Sequence, residues 1–263
     1  MRESCFTSPC IQSRESSQIV PSSGPFDDTE GEFLPDSKQL SLNDTIPQTL
    51  VGGVPVSRTT LDEALSHAPR LIAADGGADT ALAFDLVPDL VIGDLDSISA
   101  AAREAFSDRL CHLAEQDSTD FAKALRTCPA SLTIGVGFIG ARVDHFLANL
   151  TEIARNGANC ILLGDDDCLC VCLDDMQLDL EAGTRVSLWP LGPVTGTSTG
   201  LRWPIDGIAM SPTTRVGTSN EALGPVTLTL SGGPMVLILP ATALTVLLKS
   251  LDSAPRPRAS APL

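Results

Sequence analysis

Basic residues are scarce in this chain of 263: 17 Lys and Arg stand against 33 Asp and Glu, a formal net charge of −16. A chain so poor in cations lacks the basic patches that hold nucleic acid or acidic membrane non-specifically. A nucleotide substrate stays open, because a bound metal supplies positive charge locally. No apolar run reaches the roughly 18 residues that a membrane-spanning helix needs. The N-terminus lacks the apolar core of a secretory signal, and its mixture of Ser, Arg and acids is unlike a transit peptide, so a cytoplasmic location is expected. No C-x-x-C pair occurs among the eight cysteines. Cys168, Cys170 and Cys172 alternate, which puts them on one face of one strand, poorly placed to bridge one another. They read as small apolar packing residues in a reducing compartment, with a metal or redox site as the alternative. The Walker A pattern, the dinucleotide fingerprint and internal repeats are missing as well.

What is present is a core: 43% of residues are hydrophobic, enough for one or two domains at this length. Residues 1–46, rich in Ser, Pro, Asp and Glu without a period, are expected to be a disordered extension. Over 47–175 short apolar runs alternate with helical patterns. Leu71–Ala74, Leu90–Ile92, Leu132–Val136 and Cys160–Leu163 read as buried parallel strands. Asp144–Asn156 reads as a helix with Phe146, Leu150 and Ile153 on one face, stopped by Asn156-Gly157. This alternation predicts an α/β domain. Over 176–250 the texture becomes that of a smaller antiparallel β-domain, with strands at Arg185–Leu191, Val226–Leu230 and Val236–Leu239. Residues 251–263 read as a flexible tail.

The chemistry concentrates where strands run into helices. Pro88-Asp89-Leu90-Val91-Ile92-Gly93-Asp94-Leu95-Asp96-Ser97 ends an apolar strand in two aspartates. In extended backbone they share a face about 6–7 Å apart. Without a cation between them they repel, and Mg²⁺ accepts such oxygen ligands together with phosphate. The alternatives are solvated loop acids, or Asp96 capping the next helix. Ala74-Asp75-Gly76-Gly77-Ala78 is a second junction, a glycine turn open to anions or simply a tight turn. Asp117-Ser118-Thr119-Asp120 precedes a helix, with Asp117 as N-cap and Asp120 three positions on, or with these acids aimed at a ligand. Lys123 lies one turn further, within reach of a phosphate. At Gly140-Ala141-Arg142-Val143-Asp144-His145, Arg142 suits bidentate phosphate binding. Asp144 is open as N-cap, metal ligand or proton acceptor, His145 as catalyst or loop anchor, and Asn149 follows one turn on. In the β-half, Trp203 after Thr197-Ser198-Thr199-Gly200-Leu201-Arg202 is either core or a stacking platform. Thr218-Ser219-Asn220 is a turn or part of a ring pocket. Asp165-Asp166-Asp167 and Asp174-Asp175 read as solvated loop charge.

Taken in order, ADGGA, PDLVIGDLDS, DSTDF-x-K, G-x-R-x-DH-x-x-x-N, TSTGLRW and GTSN resemble the thiamine pyrophosphokinase family over Leu71–Leu239. Leu50-Val51-Gly52-Gly53-Val54-Pro55 is a short form of that family's opening strand and loop. The resemblance implies a Rossmann-like parallel-sheet domain followed by a smaller antiparallel β-sandwich. It implies Mg²⁺-dependent transfer of pyrophosphate from ATP to the hydroxyethyl group of thiamine, in a homodimer with each active site at the interface. Carried over by position, Asp75, Asp94, Asp96, Asp117 and Asp120 belong to the acidic Mg-ATP site. Gly76, Gly77, Thr119, Lys123 and Arg142 line the nucleotide, and Arg142 and Asp144 lie near the chemistry. Trp203 matches the stacking aromatic, with Ser219 and Asn220 beside the thiamine ring. Asp120 and Asp144 both stay open as proton acceptor. A metal-dependent phosphoesterase, and a non-catalytic nucleotide or thiamine binder, are the other readings of the same residues.

Overall fold

The computed structural model describes residues 46–156, 159–173 and 175–253. The expected N-terminal extension up to 45, Gly157, Asp174 and the tail from 254 lie outside the described residues. In chain order the first half runs β1 (Gln48–Val51), α1 (Arg58–His67), β2 (Arg70–Ala74), α2 (Gly77–Ala83), β3 (Leu90–Gly93), α3 (Ala100–Ala105), β4 (Leu110–His112), α4 (Asp120–Thr127), β5 (Thr133–Val136), α5 (Val143–Asn156) and β6 (Cys160–Leu163). The second half runs β7 (Asp167–Cys172), β8 (Met176–Leu178), β9 (Arg185–Pro190), β10 (Val194–Leu201), β11 (Gly217–Gly232), β12 (Met235–Pro240), a 3₁₀ turn (Ala241–Ala243) and α6 (Leu244–Ser253).

β1 to β6 pair in parallel in the spatial order β6-β5-β1-β2-β3-β4. The strands are too apolar to face water on either side: β1, β2, β3, β5 and β6 are buried at every position. α4 and α5 cover one face, where Phe121, Leu150 and Ile153 pack on Leu50, Ile92 and Leu162. Helix starts are set by hydroxyl caps: Ser57, Ser99 and Thr119 accept from the backbone N–H three residues on, which satisfies donors the helix cannot. The order of strands reverses at β1, flanked by β2 on one side and β5 on the other. In open α/β sheets the carboxyl edge at such a reversal is where ligands bind.

β6 pairs antiparallel with β7, and the sheet continues through β12, β9 and β11. β11 serves two layers. Its Gly217–Glu221 stretch pairs with β9, and its later residues pair with β10 on one edge and β8 on the other. The fold is thus a parallel α/β layer followed by an antiparallel β-sandwich; antiparallel pairing begins at β7, ahead of the expected change of pattern near residue 175. Cys168, Cys170 and Cys172 face the sandwich interior beside Leu237, Leu239 and Leu228. They are free thiols, and burial pushes Cys168 up to about 12, so they serve as packing groups.

Three expectations need correcting. The tail does not begin at 251, because α6 runs through Ser253 and its Leu244 and Leu247 are buried in the sandwich core. The Asp165–Asp167 charges are not idle. Asp165 accepts from the Ser57 N–H and the Thr60 hydroxyl at the start of α1, and Asp167 pairs with Arg185 across to β9. Asp175 accepts from the Leu230 N–H of β11.

Candidate active site

Asp75 leaves β2 with φ 42°. Its Oδ2 accepts from the Ser97 N–H at 3.2 Å, while its Oδ1 is buried with no hydrogen-bond partner. Burial, then the nearby Asp120 and Asp94 carboxylates, raise its pKa above the ordinary value, against hydrogen bonding from Ser97. Gly93 ends β3 hard against Asp75 and Asp120: a Cβ there would lie 3.0 Å from both side chains. The strand does not continue through Asp94-Leu95-Asp96. Leu95 turns with φ 61° and buries its side chain in the core under α2 and α3, so the aspartates share a face through a turn rather than through extended backbone. Asp94 accepts from the Asp96 N–H at 3.3 Å and from Gln116 Nε2 at 3.1 Å. Burial opposes its ionisation, but these bonds and the Lys123 charge outweigh it and hold its pKa below the ordinary value. Carboxylate oxygens of Asp75, Asp94 and Asp96 lie within 4.8 Å of one another. Three converging acids, one with a buried and unpartnered oxygen, are a donor set that fits a hard divalent cation.

α4 is capped by Thr119, not Asp117, so Asp120 occupies the first helical position rather than the third. The Thr119 hydroxyl also reaches Asn149 on α5 at 3.2 Å. Lys123 is 2% exposed, and its Nζ lies 3.0 Å from Asp120 and 3.9 Å from Asp94. It ties the acids together rather than reaching out to solvent. Asp117 stands on the exposed rim. Arg142 pairs with Asp144 at 2.6 Å, both well exposed. The hydrogen bond from Arg142 lowers the Asp144 pKa, and Arg142's own is raised.

Two adjoining cavities bring these groups together. One, of about 500 Å³, is walled by Gly52, Gly53, Gly76, Phe138 and Gly140 at the β1/β5 reversal and has Asp75 in its lining. The other, of about 420 Å³, is lined by Asp94, Asp96, Asp117, Lys123 and Gln116. Ser97, Thr119, Asp120, Arg142 and His145 line both. Gly77 lines neither: a Cβ on it would meet the Val51 carbonyl oxygen at 2.0 Å, so this glycine lets α2 pack on β1. Sequence reasoning missed Gln116 as a partner of Asp94, and Asp79, whose carboxylate accepts from the Ser99 N–H. No motif marks either residue, because each acts on a neighbour some twenty positions away in sequence.

A third cavity, of about 480 Å³, lies in the β-sandwich and shares no lining residue with the first two. Trp203, Ser219 and Asn220 line it. Trp203 is 56% exposed, not a core residue. The Arg202 guanidinium sits 5.7 Å from its ring centroid and pairs with Glu221 at 2.8 Å. Ser219 has φ 60° inside β11, not in a loop turn, and its N–H donates to the Ser187 hydroxyl.

An acid-floored cleft at the strand reversal of a parallel sheet, followed by a sandwich with its own aromatic pocket, defines a two-part α/β ligand-binding protein. Models of two domains match in the order of the two halves: the thiamin pyrophosphokinase catalytic domain over residues 61–162, and the thiamin pyrophosphokinase vitamin B1 binding domain over 175–233. The chain belongs to the thiamin pyrophosphokinase family. It is 30% identical over 155 residues to thiamine pyrophosphokinase 3 of rice, covering 51% of this chain and 58% of that protein. It is 29% identical over 173 residues to rice thiamine pyrophosphokinase 1, covering 58% of this chain and 65% of that protein. The matches therefore span less than two thirds of these two relatives. The solved thiamin pyrophosphokinase of Geobacillus thermodenitrificans superposes with a TM-score of 0.63 at 25% identity, over 74% of this chain and 97% of its own. That of Candida albicans gives 0.64 at 14% identity over 74% and 89%, a likeness of fold.

Proposed function

We propose that this protein transfers pyrophosphate from ATP to the hydroxyethyl oxygen of thiamine, giving thiamine diphosphate and AMP. The observation that carries the reading is the trio Asp75, Asp94 and Asp96 beside a glycine-walled cavity at the sheet's carboxyl edge. Membership of the family supports ATP as donor and thiamine as acceptor. The nucleoside lies in the glycine-walled cavity, where the absence of side chains lets backbone approach it closely. The phosphates extend toward the acid-lined cavity. Mg²⁺ held by Asp75, Asp94 and Asp96 supplies neutralisation of phosphate charge.

The chain's own residues orient and hold. Lys123 fixes Asp94 and Asp120 in place. Arg142 leaves its surface pair with Asp144 to take phosphate oxygens, and the freed Asp144, or Asp120, accepts the hydroxyl proton of thiamine. The acceptor oxygen bonds to the β-phosphorus, the bond from that phosphorus to the α,β-bridging oxygen breaks, and AMP carries away the bridging oxygen. Such chemistry is mainly positioning and charge stabilisation. Thiamine stacks on Trp203, a cation–π contact of about 0.5–2 kcal/mol. Because that cavity is separate from the acidic pair within one copy, the reading includes a homodimer in which the Trp203 cavity of one copy faces the acidic cleft of the other. The unpaired thiols suit a reducing cytosol. Among the described residues, no helix is long and apolar enough to cross a membrane.

The test is product analysis with thiamine, ATP and Mg²⁺. AMP and thiamine diphosphate are expected in equal amounts. ADP with thiamine monophosphate, or phosphate release that needs no thiamine, overturns the reading.

A further inference from the structure

We infer that Asn220 is a positioning residue: its carboxamide fixes the backbone of Trp203, and so the indole platform, without itself touching the ligand. This rests on the reading of Trp203 as the surface on which a planar cation stacks. Asn220 belongs to β11 and is 7% exposed. Its Oδ1 accepts from the N–H groups of Trp203 at 3.2 Å and Glu221 at 2.8 Å, and its Nδ2 donates to the Trp203 carbonyl at 2.7 Å. A carboxamide offers two acceptor lone pairs and two donors, so both lone pairs and one donor are committed to backbone.

The need for such a clamp follows from the topology. The β10–β11 ladder ends at Leu201↔Ala222, and the last backbone bond beyond it runs from the Arg202 N–H to the Glu221 carbonyl at 2.8 Å. Trp203 is the first residue past that bond, with its own N–H and C=O to satisfy. Asn220 takes the place of the missing strand neighbour, satisfying both at once. Pro204 follows and biases Trp203 toward extended backbone. Arg202, held by Glu221, lies over one side of the indole, and Trp203 as a whole is 56% exposed, leaving surface of the side chain open to a ligand. Backbone and ring are fixed before any ligand arrives, which reduces the ordering cost of binding.

A double-mutant cycle separates this role from direct contact. Asn220→Ala is expected to raise KM for thiamine about tenfold, with kcat and KM for ATP within about threefold of wild type. In a Trp203→Ala background the same substitution is expected to add less than about twofold, because the platform it positions is gone. An equal loss in both backgrounds means that Asn220 binds the ligand itself, and overturns the inference. A second readout needs no substrate. With Trp189→Phe as background, Trp203 is the sole indole, and Asn220→Ala is expected to lower its anisotropy and increase its quenching by acrylamide. Unchanged anisotropy and quenching overturn the inference, whatever the kinetics. Asn220→Asp keeps the acceptor oxygen but sets a carboxylate against the Trp203 carbonyl. It is expected to move both readouts the same way, and it carries the test if Asn220→Ala fails to fold. A wild-type protein that never turns over thiamine sinks the functional reading alone, since the fluorescence still judges the clamp.

Discussion

At the scale of single residues, the site is held in a state that folding alone does not favour. Asp75 keeps one carboxylate oxygen buried without a partner, with two further acids within 4.8 Å. Burial and like charge raise its pKa. The metal-free fold is therefore penalised for keeping it ionised; the penalty is present above the raised folded pKa and is relieved by acidification. Asp75→Asn removes the charge. At neutral pH the metal-free variant is expected to melt above wild type, by about 2–4 °C per kcal/mol of relieved penalty. It should also lose at least about 100-fold in turnover and its stabilisation by Mg²⁺. A Mg²⁺-dependent rise in melting temperature equal to that of wild type would exclude Asp75 as a ligand.

At the scale of elements, the junctions are specified by contacts that pattern alone does not encode. Gly76 and Gly77 are adjacent and look equivalent in sequence. A Cβ on Gly76 would meet nothing closer than 3.7 Å, whereas one on Gly77 would lie 2.0 Å from the Val51 carbonyl oxygen. Gly77→Ala is expected to destabilise by about 1–3 kcal/mol or more through overpacking of α2 on β1. Gly76→Ala should keep wild-type stability and raise KM for ATP. Urea denaturation alongside steady-state kinetics checks both. Asp165 acts at another junction, at the start of α1. Hydrogen bonds from Thr60 and Ser57 lower its pKa, so its contribution to stability is present above the unfolded carboxylate range and is lost as pH falls through the depressed value. Asp165→Ala is expected to melt lower at pH 7, by about 2 °C, and to converge with wild type in acid. A pH-independent difference would rule out this charge as the cause.

The same scale shows where sequence suffices. Cys160–Leu163 is a strand at the residues expected, and α5 begins only one residue before the expected Asp144, because apolar periodicity sets element type. Period does not say where a strand stops, so Asp94 and Asp96 read as extended neighbours until Leu95 turns inward. Asp117 and Thr119 are both good capping residues, and only backbone geometry selects Thr119. Asn220 reads as a turn or ligand residue because its partner, Trp203, lies 17 positions away.

At the scale of the whole molecule, acids and aromatic pocket occupy different parts of one chain. If each site draws on two copies, mixing inactive Asp94→Asn with Trp203→Ala protein, assayed at a thiamine concentration well below the raised KM of the latter, restores activity above the sum of the two parents. Random reassortment of a dimer predicts recovery of about a quarter of wild-type turnover, since half the dimers carry one intact site each. No recovery, under conditions where subunits are shown to exchange, would place donor and acceptor within a single copy.

The antiparallel pairing of β6 with β7, Ile161↔Cys170 to Leu163↔Cys168, makes the catalytic layer and the sandwich parts of one sheet. A hinge between them would have to tear ladder hydrogen bonds out of a buried seam. The protein is therefore built as a rigid ruler rather than a pair of jaws: within one chain the spacing of its cavities is constant, and on the proposed reading capture of substrate would fall to side chains such as Arg142 and to the meeting of two copies.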